Sequence, residues 1–380
     1  MPRADRWSRE DSMWSIAHSR REFAKAVGLS LAALVFPQRL CAHELGGGND
    51  PSPFFKTRGI VLLLSDLLSL NDWPVRASRV GLTTIATHFI TNDRFEHHTM
   101  DHLIHFIKSE AGQRFRDDCA KLGVNVEHET HAMSDLLPRS LFKKDPAMFR
   151  MNEQNERTPD YNFCAHSSAA IATISENAVT YAKVLKATTG RYFFWIDDAR
   201  PMCHCPKCRL YSDSDQALML ENAVVKSLRR HVDAGATLAH LAYANTMQPP
   251  SDVKPEPGIF LEFAPINRSW EHPLRQREVK RGSLTHGQLL DMLDANLEVF
   301  GKNSAQVLEY WLDVSMFSGW KRPPKKLPWN REVFLDDLHT YGGRGIHHIT
   351  SFGAFIDAQY LQLHGEPPID DYGAGLCGYR

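Results

Sequence analysis

Charge of one sign is what this 380-residue chain most clearly lacks, with 44 lysines and arginines against 45 aspartates and glutamates. Such a balance gives no electrostatic case for nucleic acid or an anionic membrane surface as a partner. Long apolar runs are scarce too: residues 26–36 are too short to span a bilayer permanently, and no other stretch is long and apolar enough to do so. The glycine-rich phosphate loop that an open dinucleotide-binding sheet carries after its first strand is missing, and no organic cofactor is expected. Cysteine is sparse, seven in all, yet three of the seven crowd into residues 203–208. Histidine, at 19, is plentiful and scattered.

The N-terminal stretch HSRREFAKAVGLSLAALVF contains Ser19-Arg20-Arg21-x-Phe23-x-Lys25 followed by an apolar run to Phe36. Basic residues before a short apolar segment read as a secretory signal, here of the twin-arginine type. Residues 1–42 are assigned to that signal, with cleavage near Ala42 and a periplasmic or secreted product that has no membrane association afterwards. Arg39-Leu40 stand where a lipoprotein needs small residues, so Cys41 is not read as a lipid anchor. Residues 43–55, with GGGNDPSP at 46–53, are a linker, and residues 56–380 form one domain.

Within that domain short apolar runs alternate with helical patterns. Strands are expected at Ile60–Leu64, Thr83–His88, Val124–His131, Tyr192–Asp197, Leu238–Asn245, Ile259–Pro265, Ala305–Asp313 and Gly345–Phe352. Helices are expected at Met100–Leu122, Ile171–Lys186, Ser214–Ala234 (capped by Ser214), Gly287–Phe300 after Thr285, Arg331–Tyr341 after Asn330, and Asp357–Leu363. Eight strand–helix units in about 320 residues make a (β/α)₈ TIM barrel, with an open doubly wound sheet as the rival. Only MQPPSDVKPEPG, between the fifth and sixth strands, leaves no room for a helix. Long loops at 132–168 and 267–283 follow strand C-termini, the face where barrel enzymes build their sites.

Strand parity and loop position select the site candidates. Asp197 and Asp198 stand at the lip of the fourth strand. Alternation in the third turns Glu127, Glu129 and His131 inward. In the seventh strand Glu309, Trp311 and Asp313 share one face, and a tryptophan between two acids suits a sugar ring. Tyr243 and Asn245 end the fifth strand; Glu262 lies on the sixth, with Asn267, Arg268 and His272 beyond it. A mouth lined with such groups fits carbohydrate chemistry, in which paired carboxylates act as acid, base or nucleophile. Asp198, Asp197 and Glu309 are the catalytic candidates, and the others are substrate-binding candidates.

Cys203-x-Cys205-x-x-Cys208, with Pro206 and Lys207 between the last two, reads as a zinc knuckle lacking one ligand. Cys164 is the expected fourth ligand, with His204 and His166 as substitutes; Cys119 and Cys377 are bystanders. The same four cysteines could form two disulfides in an exported protein. In either case the clamp is structural, bracing the loop that carries the two aspartates.

Asp198 with the cysteine motif, Leu241-Ala242-Tyr243 with Pro249-Pro250, Asn267-Arg268 and His272-Pro273-Leu274 resemble the bacterial family known as domain of unknown function 4838. The likeness runs from about His131 to Tyr310 and includes Phe163-Cys164. It implies a glycoside-hydrolase-like barrel, often exported, in polysaccharide-degrading bacteria. That family commonly carries Asn-Asp where this chain has Asp197-Asp198, and a glutamate at the end of its last strand where this chain has Thr350-Ser351-Phe352. Many relatives carry a further N-terminal domain for which this sequence shows no counterpart. A more distant similarity to hexosaminidases implies that Asp197 orients a substrate acetamido group while Asp198 protonates the leaving oxygen.

Three readings follow. The first is an exported glycosidase with a glycan substrate. The second is a metal-dependent barrel isomerase or hydrolase using His88, Glu129, His131 and Glu262, although no His-x-His closes the first strand. The third is a carbohydrate-binding barrel without activity.

Overall fold

A computed structural model describes residues 52–88 and 99–380; the twin-arginine pattern and most of the linker lie outside these residues. Eight parallel strands close a ring: β1 (Thr57–Leu63), β2 (Thr84–His88), β3 (Asn125–His131), β4 (Arg191–Trp195), β5 (Thr237–Ala242), β6 (Ile259–Phe263), β7 (Gln306–Glu309) and β8 (His348–Phe352). Each strand pairs with the next, and β8 returns to β1 with Thr57 opposite His348 and Val61 opposite Phe352. This is a (β/α)₈ barrel, and the strand–helix alternation of the sequence is its cause.

Helices cover every crossover except that between β5 and β6, where the proline-rich segment passes with a single 3₁₀ turn at Ala244–Thr246. Phe54 and Phe55, at the end of the expected linker, already belong to the packed body: their rings lie 5.0 and 4.9 Å from that of Tyr379. No helix among the described residues is long and apolar enough to cross a membrane.

Three local expectations are corrected. The helix expected over 100–122 is two, Met100–Lys108 and Glu110–Leu122, because Ser109 adopts an extended backbone and caps the second through its side chain. Ser212, rather than Ser214, caps the helix Asp213–His231, in a reciprocal capping box with Asp215. Ser214 is buried and donates to the carbonyls of Thr246 and Gln248. Finally, β7 ends at Glu309 and the chain turns at once into the short helix Val314–Phe317, capped by Asp313. That early turn reassigns the residues that follow.

Candidate active site at the barrel mouth

Alternation inside the barrel produces layers. The lower layer is polar: Glu127 and Glu129 from β3, Glu262 from β6 and Gln306 from β7, all enclosed, with the partly buried Arg191 from β4. Gln306 donates to Glu129 (3.4 Å) and Glu262 (3.0 Å), and Arg191 donates to the Gln306 side-chain oxygen at 2.9 Å. Arg191 also stacks on Phe260, 3.9 Å from the ring centre. One cation faces three acids in a water-poor space, so ionising all three is costly. Burial, reinforced by the neighbouring carboxyls, holds Glu129 far above the usual carboxylate range and Glu262 up at about 8.

Above this layer the strand ends open into a cavity of about 570 Å³. Trp195 forms part of its floor and donates its indole N–H to Glu262 at 2.8 Å, tying floor to acid layer. Tyr310 and Phe352 stack with centroids 5.5 Å apart on one side, and Tyr161, Tyr243 and Trp320 add aromatic surface around the rim. Four acids face the space: Asp160, Asp197, Asp198 and Asp313.

Asp197 is partly buried, its side chain 14% exposed, and held. Its Oδ2 accepts from Arg139 (2.8 Å) and from the backbone N–H of Asn162 (2.6 Å). Burial lifts its carboxyl above the ordinary range, with Arg139 opposing. Asp198, one residue on, is 63 % exposed, and His131 Nε2 lies 3.8 Å from its Oδ1. His131 Nδ1 donates to the carbonyl of Ile196 at 2.6 Å, which fixes the ring's tilt toward Asp198. The Tyr243 phenol hydrogen-bonds Asp198; burial and that carboxylate together keep the phenol protonated. Asp313 is enclosed, with Oδ1 accepting from Ser315 Oγ (2.5 Å) and the Met316 N–H (3.1 Å). Burial outweighs those bonds and raises its carboxyl to about 6. The Tyr243 and Tyr310 phenols each feel both Asp198 and Asp313, so these two acids address one space.

Left-handed backbone concentrates here. Of the six non-glycine residues with positive φ among those described, five ring the mouth: Asn162, Ala199 directly after Asp198, Ala244 directly after Tyr243, Trp320, and Phe355 directly after the lining residue Ala354. Such backbone costs about 1–2 kcal/mol per residue and collects where a loop must aim a particular group.

Several expected site residues lie elsewhere. Glu309 and Trp311 point outward into the helix layer. Glu309 accepts from Arg268 (2.9 Å), Tyr341 (2.5 Å) and Trp270 (3.4 Å), and Trp311 donates to Asp337 at 3.1 Å. The inward face of β7 is instead Gln306, Leu308 and Tyr310, because three donors beyond the strand satisfy Glu309 outside the barrel. Arg268, fully buried, bridges Glu309 and Asp337 and also donates to the His272 carbonyl. Asn267 is exposed outside the cavity, His272 contacts Gln276, and Asn245 bonds Asp213 and the Arg200 carbonyl. Glu129 and Glu262 sit beneath the floor. His88 and His131 line the cavity, but they do not form a metal-ligand group with Glu129 and Glu262: the grouping close enough to hold an ion among the described residues is made of cysteines. Asp160, Tyr161, Arg200, Ser315 and Trp320 were not anticipated; all lie beyond strand ends, where strand alternation gives no signal.

That grouping is Cys164, Cys203, Cys205 and Cys208, buried and free, with all four Sγ atoms within 4.8 Å of one another. Cys164 Sγ lies 3.9 Å from Cys205 Sγ and 3.8 Å from Cys208 Sγ. His204 is turned away, 3.4 Å from Glu153. A dry set of four soft donors suits a tetrahedral soft metal.

Fold and site together define a barrel protein with a carboxylate-lined, aromatic mouth. The chain belongs to the family described as domain of unknown function (DUF4838), whose model matches residues 79–286. No curated protein matches it. Among solved structures it is similar to a family 20 β-N-acetylglucosaminidase (12% identity, 85% of this chain and 69% of that one, TM-score 0.47). A family 42 β-galactosidase is similar at 13% identity over 85% of this chain and 57% of that one, TM-score 0.49. A family 5 glycoside hydrolase from Prevotella bryantii, solved with a xyloglucan tetradecasaccharide, matches at 10% identity over 86% and 98%, TM-score 0.47.

Proposed function

We propose that the protein is a glycoside hydrolase acting at the barrel mouth, exported through its twin-arginine signal. The observation that carries the reading is the pairing of Asp198 and Asp313 around one cavity walled by Tyr161, Tyr243, Tyr310, Trp195 and Trp320. Aromatic faces match the C–H faces of sugar rings, and two carboxyls in unlike surroundings are what glycosidic cleavage uses.

The unlike surroundings assign roles. Asp313 is enclosed and keeps its proton toward neutral pH, so it serves as the general acid that protonates the leaving oxygen. Asp198 is open to solvent, receives the Tyr243 hydroxyl and faces His131, so it serves as the base or nucleophile. This exchanges the role that resemblance to hexosaminidases implied for Asp198. Asp197, pinned by Arg139 and Asn162, positions its neighbour.

A panel of aryl glycosides and bacterial and plant polysaccharides, assayed with the wild type, D198N and D313N, tests this. Turnover by the wild type is the expected result, with folding intact and the rate reduced ~10²–10⁴-fold in D198N on every substrate and in D313N on polysaccharides and on glycosides with poor leaving groups. Glycan binding without turnover by any substrate would instead select the inactive, carbohydrate-binding reading, which the absence of an acid at Thr350-Ser351-Phe352 favours.

A further inference from the structure

We propose that Cys164, Cys203, Cys205 and Cys208 hold one zinc ion, and that this ion staples the loop after β3 to the loop after β4, setting the cavity wall that carries Asp197, Asp198 and Arg200. The metal assignment stands apart from the glycosidase reading, since it rests on the sulfurs alone.

Zinc–sulfur bonds of about 2.3 Å in a tetrahedron place the sulfurs about 3.8 Å apart. The separations of 3.9 and 3.8 Å from Cys164 to Cys205 and Cys208 agree with that edge. They are far from the roughly 2.05 Å of a disulfide. Because all the sulfurs lie within 4.8 Å of one another, the space between them takes a single ion and not a cluster with several metals. Four thiolates around a divalent ion carry a net charge of −2, and the surroundings answer it. The Met151 N–H donates to Cys203 Sγ at 3.3 Å, the Cys208 N–H to Cys205 Sγ at 3.5 Å, and Arg157 Nη1 lies 3.7 Å from Cys203 Sγ. His166 Nδ1 stands 3.4 Å from Cys208 Sγ, a donor from outside the ligand set. Outer partners of this kind orient ligands and tune a metal centre. With four sulfur ligands no coordination position is left for water, so the ion is structural.

The staple reaches the cavity through Asn162, two residues before Cys164. Its side-chain amide donates to the carbonyls of Arg200 (3.1 Å) and Pro201 (3.0 Å), and its backbone N–H donates to Asp197. Cys203 follows Pro201 by two residues. The ion therefore anchors one end of both segments whose other ends present Asp160, Tyr161, Asp198 and Arg200 to the cavity.

The test uses the full chain produced with zinc in the medium. Elemental mass spectrometry is expected to find one zinc per chain, and cobalt replacement is expected to give the intense visible absorption of a tetrahedral tetrathiolate. C205S is expected to lose both, and C119S neither. Should C205S fail to fold, wild-type thiol protection decides: the four cysteines resist alkylation until a strong chelator is added. A metal-free protein in which peptide mapping finds two disulfides among Cys164, Cys203, Cys205 and Cys208 would overturn the proposal. Iron in place of zinc, or full zinc content in C205S, would overturn it equally. For the staple, hydrogen exchange after chelation is expected to rise at 149–167 and 197–211 while β1 and β8 stay protected; unchanged exchange in those loops, or global unfolding, would sink that role.

Discussion

Asn162 and Asp197 hold each other at both ends: the Asn162 N–H donates to Asp197 Oδ2 at 2.6 Å, and the Asp197 N–H donates to Asn162 Oδ1 at 2.9 Å. Asn162 does so with φ of 45°, a conformation asparagine tolerates better than most residues. N162A removes the side-chain half of the pair and leaves a methyl group in left-handed backbone. It is expected to lower unfolding free energy by about 2–3 kcal/mol. N162G, which relieves the backbone but not the lost bonds, should recover about 1 kcal/mol of that. Urea titrations of both variants make the comparison.

As the proposed general acid, Asp313 is expected to set the alkaline limb of the rate profile. A general acid must carry its proton, and burial holds that proton to about pH 6. Activity is therefore expected to fall as pH rises through the region just above 6. D313N should abolish that limb and spare substrates with good leaving groups, which need no protonation. Rates across a series of aryl glycosides of graded leaving-group acidity, measured from pH 4 to 9, show whether it does.

The enclosed acid layer makes stability depend on pH in an unusual direction. Glu262 titrates near 8 in the folded chain and near 4.3 when unfolded. Its contribution is complete below the unfolded value and drains away as pH rises toward 8, where both states are ionised. The slope is at most about 1.4 kcal/mol per pH unit for one such group. E262Q, which cannot ionise yet keeps an acceptor for Trp195, should flatten the decline. Urea midpoints at pH 5, 6, 7 and 8 provide the readout.

Glu309 is predicted to support the fold and not the chemistry. E309Q weakens a fully buried ion cluster with Arg268 and Asp337 and is expected to cost about 3 kcal/mol of stability. Its kcat on a cleaved substrate should stay within about threefold of wild type, against the ~10²–10⁴-fold losses expected for D198N. A large kcat loss in a well-folded E309Q protein would return this residue to the active site.

Trp320 projects at the rim, 47% exposed, with φ of 55°. As a stacking platform it should act on binding more than on turnover. W320A is expected to raise KM about tenfold, equivalent to about 1.4 kcal/mol, with kcat nearly unchanged. Initial-rate kinetics separate the two.

The barrel was legible because its causes are local. Alternating apolar runs, caps such as Thr285 and Asn330, and the helix-free proline segment all act over a few residues. The pair Asp197-Asp198 was legible for the same reason, since a strand end fixes a lip. Parity failed at β7, where Leu308 and Tyr310 look no more inward than Glu309 and Trp311. What decides is the trio of donors Arg268, Trp270 and Tyr341, brought in from sequence positions 32 to 41 residues away. Tyr161 and Trp320 were invisible because a loop aims its side chains through tertiary contacts and has no period to read. Cys164 lies 39 residues before Cys203, and only a shared chemistry joined them beforehand.

The four sulfurs also carry an evolutionary implication. Joined by the proposed ion, they would make the β3 and β4 loops a single unit, so that lengthening or shortening one would misplace a ligand supplied by the other. New specificities in this lineage should therefore arise on the opposite rim, from Ser315 to Trp320 and around Ala354, where single contacts such as the Ser315 N–H to the Ala354 carbonyl (3.2 Å) and Arg322 to Asp357 (2.6 Å) join the loops and can be replaced one at a time.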